Sequence, residues 1–169
     1  HLLLEPSRTN LITYSEDFSE WTLTTSGTTL TSNATTAPDK NETSDKLEAD
    51  GTNLFARVDD TVSLTSGNDV SVSLFVKKSG THDNMTLRLE GTDVGGSGKT
   101  HVTYTFTFST EQLSKIAGGD ATSTFVDNFG NGWYRIGLEV TNSTITKKLI
   151  YPAYNNANGG EVFIWGSQL

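Results

Sequence analysis

Apolar and polar residues alternate in strict two-residue steps along most of the chain. Val70, Val72, Leu74 and Val76 are opposed by Ser71, Ser73, Phe75 and Lys77. Met85, Leu87 and Leu89 are opposed by Thr86, Arg88 and Glu90, and Tyr104, Phe106 and Phe108 by Thr103, Thr105 and Thr107. An extended strand sends successive side chains to opposite faces, so each run predicts a strand with one dry face. Further strands are expected over 44–49 with Leu47 inward, along Leu54, Ala56 and Val58 continuing to Val62 and Leu64, over 147–154, and over 161–169. Residues 11–21 give a short strand and a turn, with Phe18 and Trp21 as anchors. Turn residues cut the runs at Pro38-Asp39, 66–69, 95–98 and 155–160. One short helix is expected over 109–117, STEQLSKIA, with Ser109 as N-cap, Gln112 three residues on and Gly118-Gly119 closing it. The sum is an all-β chain: a two-sheet antiparallel β-sandwich, or jelly roll, with one short helix.

Residues 130–140, GNGWYRIGLEV, carry the most unusual alternation. Tyr134, Ile136, Leu138 and Val140 form a core set, whereas Trp133, Arg135, Gly137 and Glu139 fall on the other face. A ring and a guanidinium on the non-core face of a strand suit a binding surface. Phe75 and Trp165 lie likewise opposite their strands' core sets, Arg88 sits on a polar face, and Tyr154 flanks a loop. Aromatic rings offer flat apolar area to sugar C–H groups while Arg and Asn bond hydroxyls. The candidate ligand-binding residues are therefore Trp133, Arg135, Trp165, Arg88, Phe75 and Tyr154. The competing reading packs these rings inside the sandwich or beneath another subunit.

Composition narrows the classes. The 169 residues suffice for one domain with a real core, expected over 10–169, with 1–9 as a lead-in or linker. The chain opens at His1, which reads as an excised or processed fragment. A formal net charge of −8 with no basic run removes the counterion-release term of nucleic-acid binding. No stretch approaches a membrane span, so no membrane insertion is expected. There is no Cys, hence no disulfide or thiol chemistry. DVGGSGKT at 93–100 ends like a phosphate-binding loop, but Asp93 replaces its first Gly and a strand pattern follows where a helix is needed. His82 and His101 stand beside turns without spaced partners, and no metal motif is present. Glu16-Asp17 and Asp59-Asp60 read as solvated turn acids rather than an acid–base pair. Asp127, Asn128 and Asn131 lack calcium-loop spacing and read as turn chemistry. No catalytic residues are assigned.

LLLEPSRTNLITYSEDFSEW (2–21), SDKLEA (44–49), VSLFVKKSG (72–80), GWYRIGLEV (132–140) and VFIWGSQL (162–169) occur in that order. This series resembles the jelly-roll domain of bacteriophage tail-fibre and tailspike proteins, which is similar to carbohydrate-binding modules. The resemblance implies a non-catalytic module recognising glycan or polysaccharide, extracellular or virion-associated. The second expectation is a structural virion module whose aromatic face packs against a neighbouring subunit, as in a homotrimer. A glycan lyase or hydrolase is the third. No cofactor is expected. Related modules often hold a structural calcium through an acid just after the first Asp-Phe and an Asp in the closing strand. Ser19 and Trp165 stand at those positions here, so the ion is not favoured, although Glu16 and Asp17 keep it open.

Overall fold

The computed structural model describes residues 10–24, 26–64 and 67–169. The lead-in expected over 1–9 lies outside the described residues, as does Ser66 of the expected 66–69 turn. A 3-10 turn at Phe18–Glu20 precedes or joins eleven strands among the described residues: β1 (Thr22–Leu23), β2 (Thr28–Thr35), β3 (Ser44–Ala49), β4 (Val58–Thr61), β5 (Asn68–Ser79), β6 (Asn84–Thr92), β7 (His101–Thr107), β8 (Gln112–Gly118), β9 (Ser123–Gly130), β10 (Trp133–Tyr151) and β11 (Gly160–Gln168). They make two antiparallel sheets of six, because β10 serves both. Its first half lies between β5 and β9 in the sheet ordered β2-β3-β11-β5-β10-β9. Its second half lies between β4 and β6 in the sheet ordered β1-β4-β10-β6-β7-β8. We call these the first and second sheets.

The expected β-sandwich is observed, and the even–odd segregation holds in its central strands. Val72, Leu74 and Val76 of β5 face Ile136, Leu138, Val162 and Ile164 on the inner side of the first sheet, all fully buried. Leu87, Leu89 and Phe106 line the inner side of the second. β10 crosses between the sheets through two register shifts, one between Val140 and Ser143 and one between Ile145 and Lys147. Each inserts one extra residue, so the inward parity flips at the first and returns at the second. This brings Lys148, also fully buried, between the sheets, where its Nζ donates to Ser73 O at 2.8 Å and Ser167 Oγ at 2.6 Å. Burial holds its ammonium pKa well below the usual lysine value, with Asp60 opposing that shift.

Several local expectations are corrected. Residues 109–117 form no helix: Phe108–Glu111 is a turn and Gln112–Gly118 is strand β8, paired with β7 from Thr107↔Gln112 to Val102↔Gly118. Glu111 sits at φ 55°, which breaks a helix one residue before Gln112 could complete a capping box. Ser109, the expected N-cap, instead donates from its backbone N and its Oγ to Asp83 Oδ2. The backbone hydrogen bonds of this segment go to β7 rather than to the segment itself. Asp127 and Asn128 lie in β9, not in a turn, and only Asn131 occupies the β9–β10 connection, at φ 52°. The run from Leu54 to Leu64 gives only the four-residue β4; Leu54 and Phe55 are exposed turn residues. Residues 11–17 form no strand, but Phe18 and Trp21 do anchor the turn, buried with ring centroids 4.9 Å apart.

Candidate functional site

The two outer faces of the sandwich carry different chemistry. On the first sheet, Trp133–Lys77–Phe163 and Arg135–Phe75–Trp165 are rows of directly paired residues crossing β10, β5 and β11. Phe75 sits at the centre, with Phe129 at 4.9 Å and Trp165 at 5.3 Å, both edge-on. The Arg135 guanidinium lies 5.9 Å from the Phe75 ring and 5.6 Å from Phe125. It also donates to Gln168 Oε1 at 2.8 Å and Ser73 Oγ at 3.2 Å. Gly137 is required beneath this stack, because a Cβ there would come within 2.1 Å of the Phe125 ring. Trp165 is half-buried and donates from Nε1 to Thr43 Oγ1 at 3.1 Å.

Trp133 requires correction as an open ring. It is on the outer face, as its parity demands, yet only 3% exposed, and its Nε1 donates to Thr36 O at 3.1 Å. The segment after β2 occupies the space a ligand would need. Lys77 Nζ, 5.9 Å from the ring centroid, covers part of the remainder.

On the second sheet the rows are Tyr151–Thr86–Thr105 and Leu149–Arg88–Thr103 across β10, β6 and β7. Tyr151 is buried and meets Tyr154 edge-on at 5.0 Å, and Tyr154 meets the exposed Phe55 at 5.3 Å. Burial pushes the Tyr151 hydroxyl up to about 12 despite the opposing charges of Arg57 and Arg88. Beside this cluster, Arg57 and Lys147 both pair with Asp59, at 3.2 and 3.3 Å, and Arg88 pairs with Glu90 at 2.8 Å. Arg88 Nε and Thr103 Oγ1 are buried without a hydrogen-bond partner among the described residues.

A groove of about 530 Å³ crosses this second face. Thr86 and Thr105, hydrogen-bonded to each other at 2.8 Å, and Asn84 supply its strand floor. His82, Tyr154, Asn155 and Asn156 form one wall, and Ile116 and Ala117 of β8 the other. Adjacent strands lie about 4.8 Å apart, so the path from β10 to β8 runs about 14 Å, room for a few linked sugar rings. Among the described residues, no Asp, Glu, Lys or Arg lines it. A second cavity, of about 710 Å³, lies on the first face beside Arg135, Ser73, Gln168 and Glu139.

The six residues singled out from sequence therefore divide between opposite faces. Tyr154 lines the groove, and Arg88 lies beside it, one row along from Thr86. Trp133, Arg135, Trp165 and Phe75 stand on the other sheet. Sequence reasoning passed over His82, Asn84, Asn155 and Asn156. The available signal was the run Tyr154-Asn155-Asn156, an aromatic followed by two amides.

At the calcium positions of related modules stand Ser19 and Trp165, neither of them an acid. Ser19 Oγ donates to Asp17 Oδ1, and both oxygens of the inward Asp45 accept backbone N–H groups, from Phe18 at 3.2 Å and Asn33 at 3.0 Å. No group of three or more His, Cys, Asp or Glu able to hold a metal occurs among the described residues.

Fold and faces together define a β-sandwich with an uncharged surface groove on one sheet and an aromatic cluster on the other. Solved structures similar to it include the carbohydrate-binding and catalytic modules of Clostridium thermocellum N-terminal endo-1,4-β-D-xylanase 10B complexed with xylohexaose, at 16% identity and a TM-score of 0.47, covering 95% of this chain and 28% of that one. The family 11 carbohydrate-binding module of a Clostridium thermocellum cellulosomal cellulase is 15% identical, with a TM-score of 0.41, covering 88% of this chain and 86% of that one. The enzymatically active domain of bacteriophage CBA120 tailspike protein 4 is 15% identical, with a TM-score of 0.39, covering 94% and 21%. This chain thus spans under a third of the xylanase and tailspike structures. No family model matches the chain, and the search of curated proteins found no match. No helix of the described residues is long and apolar enough to cross a membrane.

Proposed function

We propose that this chain is an extracellular, non-catalytic module that binds a polysaccharide along the groove of the second sheet. The observation that carries this reading is the groove itself, which joins a hydroxyl and amide floor to an aromatic wall. Thr105, Asn84 and Asn155 offer hydroxyl and amide groups to a sugar, Asn156 holds the wall in place, and Tyr154 offers a ring edge backed by Phe55 and Tyr151. The lining has no ion pair to desolvate, and the overall charge of −8 disfavours an acidic glycan. Among the described residues no pair of carboxylates converges on it, which supports binding without cleavage. Screening the domain against neutral and acidic glycans tests the reading. Tyr154→Ala should weaken binding about tenfold, whereas Phe129→Ala on the opposite face should leave it unchanged. Silence across the panel, or the reverse response of the two variants, would refute it.

A second reading rests on Phe129, which is 53% exposed on the aromatic cluster of the first sheet. Here that face packs against a neighbouring subunit, as in a virion assembly or homotrimer. Light scattering distinguishes the two: a stable trimer dissociated by Phe129→Asp supports the second, and a monomer at high concentration opposes it.

A further inference from the structure

The wall of the groove contains a histidine whose tautomer is fixed by its neighbours. Asn156 Nδ2 lies 3.2 Å from His82 Nδ1 and donates to Gly159 O at 3.1 Å, while its Oδ1 accepts the Asn158 N–H at 3.0 Å. Turning the amide over would set oxygen against the Gly159 carbonyl and NH₂ against the Asn158 N–H, so its orientation is determined. Both amide hydrogens are then spoken for, one by Gly159 O and the other by His82 Nδ1. Nδ1 must accept, so the neutral ring carries its hydrogen on Nε2. That Nε2–H has no hydrogen-bond partner among the described residues. The ring itself is held in place: a Cβ at Gly160 would come within 2.7 Å of His82 Cδ2 and 3.0 Å of Ala153 Cβ, so only glycine leaves the space it fills.

We infer that His82 is a ligand-contacting, specificity-determining residue of the groove, presenting a pre-oriented Nε2–H donor to a glycan oxygen. The inference rests on the polysaccharide-binding reading of this groove. The donor's direction is set before the ligand arrives, by a chain of backbone contacts in the 156–159 turn, so little ordering accompanies binding. A site built around a fixed donor rejects a sugar lacking an acceptor at that position, because the donor would be left unpaired. Burial lowers the imidazole pKa, with Asp83 opposing and Lys78 adding to the shift, which favours the neutral ring. Asp83 is itself engaged by Lys78 and Ser109, and residues 152–160 contribute no ionisable group except Tyr154. Acidification adds a hydrogen to Nδ1 that faces the Asn156 amide, so the wall opens and affinity falls with pH.

Two substitutions isolate the donor. Asparagine can place an acceptor where Nδ1 lies, keeping Asn156 in place, but has nothing at the Nε2 position. Glutamine can return an amide hydrogen near Nε2. Soluble xylan, galactan and hydroxyethylcellulose, run by native affinity electrophoresis against the full chain at pH 7.5 and 5, serve as probes. The expected result is about a tenfold loss of affinity for His82→Asn without a change in melting temperature, the worth of one hydrogen bond, and recovery to within about threefold in His82→Gln. Wild-type affinity should fall at pH 5, and His101→Asn should follow the wild-type profile. Nitrogen NMR of the free protein should find hydrogen on Nε2 at pH 7.5. Hydrogen on Nδ1, or binding by His82→Asn equal to wild type, overturns the assignment while leaving the groove reading intact. Failure of every probe to bind removes both.

Discussion

Replacing Trp133 with alanine separates the two roles that a tryptophan on an outer face can have. Its alternation with Ile136 and Leu138 suggests a ring offered to a ligand. Its 3% exposure and the bond from Nε1 to Thr36 O instead make it the anchor of the segment after β2. Removing a buried Trp costs about 3–5 kcal/mol through lost transfer energy and the residual cavity. The contact with Lys77 Nζ at 5.9 Å adds little, because that lysine is partly in water. The freed Thr36 carbonyl lies on an exposed residue and can bond water, so it moderates the loss. A net cost of about 3 kcal/mol lowers the melting temperature by about 6–12 °C for a chain of this size. Trp133→Phe, which keeps most of the ring, should cost about 1–2 kcal/mol. Calorimetry measures both, and glycan affinity taken well below the melting transition should be unchanged. A melting temperature within about 2 °C of wild type, together with loss of glycan binding, would restore Trp133 as a contact and refute this reasoning.

Asp45→Ala should destabilise the chain by about 2–3 kcal/mol in urea unfolding, since it strands the buried Phe18 N–H and frees the Asn33 N–H; Asp45→Asn, which can accept only one of the two with its single oxygen, should fall between. Alkaline unfolding reports Tyr151. Its folded pKa of about 12 exceeds the ordinary value of 10.0, so the folded state keeps a proton the unfolded chain has lost. Stability should therefore fall as pH rises from 10 towards 12, by on the order of 2 kcal/mol, and Tyr151→Phe should abolish that part of the slope. A wild-type slope in the phenylalanine variant would contradict the burial argument.

The central strands were legible because their cause is local. The two-residue period of β5, β6 and β7 follows from backbone pleating, and the residues it selected, Val72, Leu74, Leu87 and Phe106 among them, are the buried ones. The same rule put Trp133, Phe75 and Trp165 correctly on outer faces. It could not say which sheet an outer face belonged to. Arg88 and Tyr154 therefore stood beside Arg135 and Trp165 in one candidate site, although the sandwich sets them on opposite sides.

What the sequence by itself determined is parity: which side of each strand is apolar, and hence that two sheets must close over one another. The tertiary structure alone decided four further matters. β10 passes through both sheets because extra residues after Val140 and Ile145 reset its register, and 112–118 becomes β8 because the open edge of β7 pairs with it. Thr36, far from Trp133 in sequence, accepts that ring's hydrogen. The groove draws on residues 82, 84, 86, 105, 116–117 and 154–156, segments with no sequence period in common. Alternation is fixed by neighbours one and two residues away, whereas a groove is fixed by which distant strands come to lie side by side.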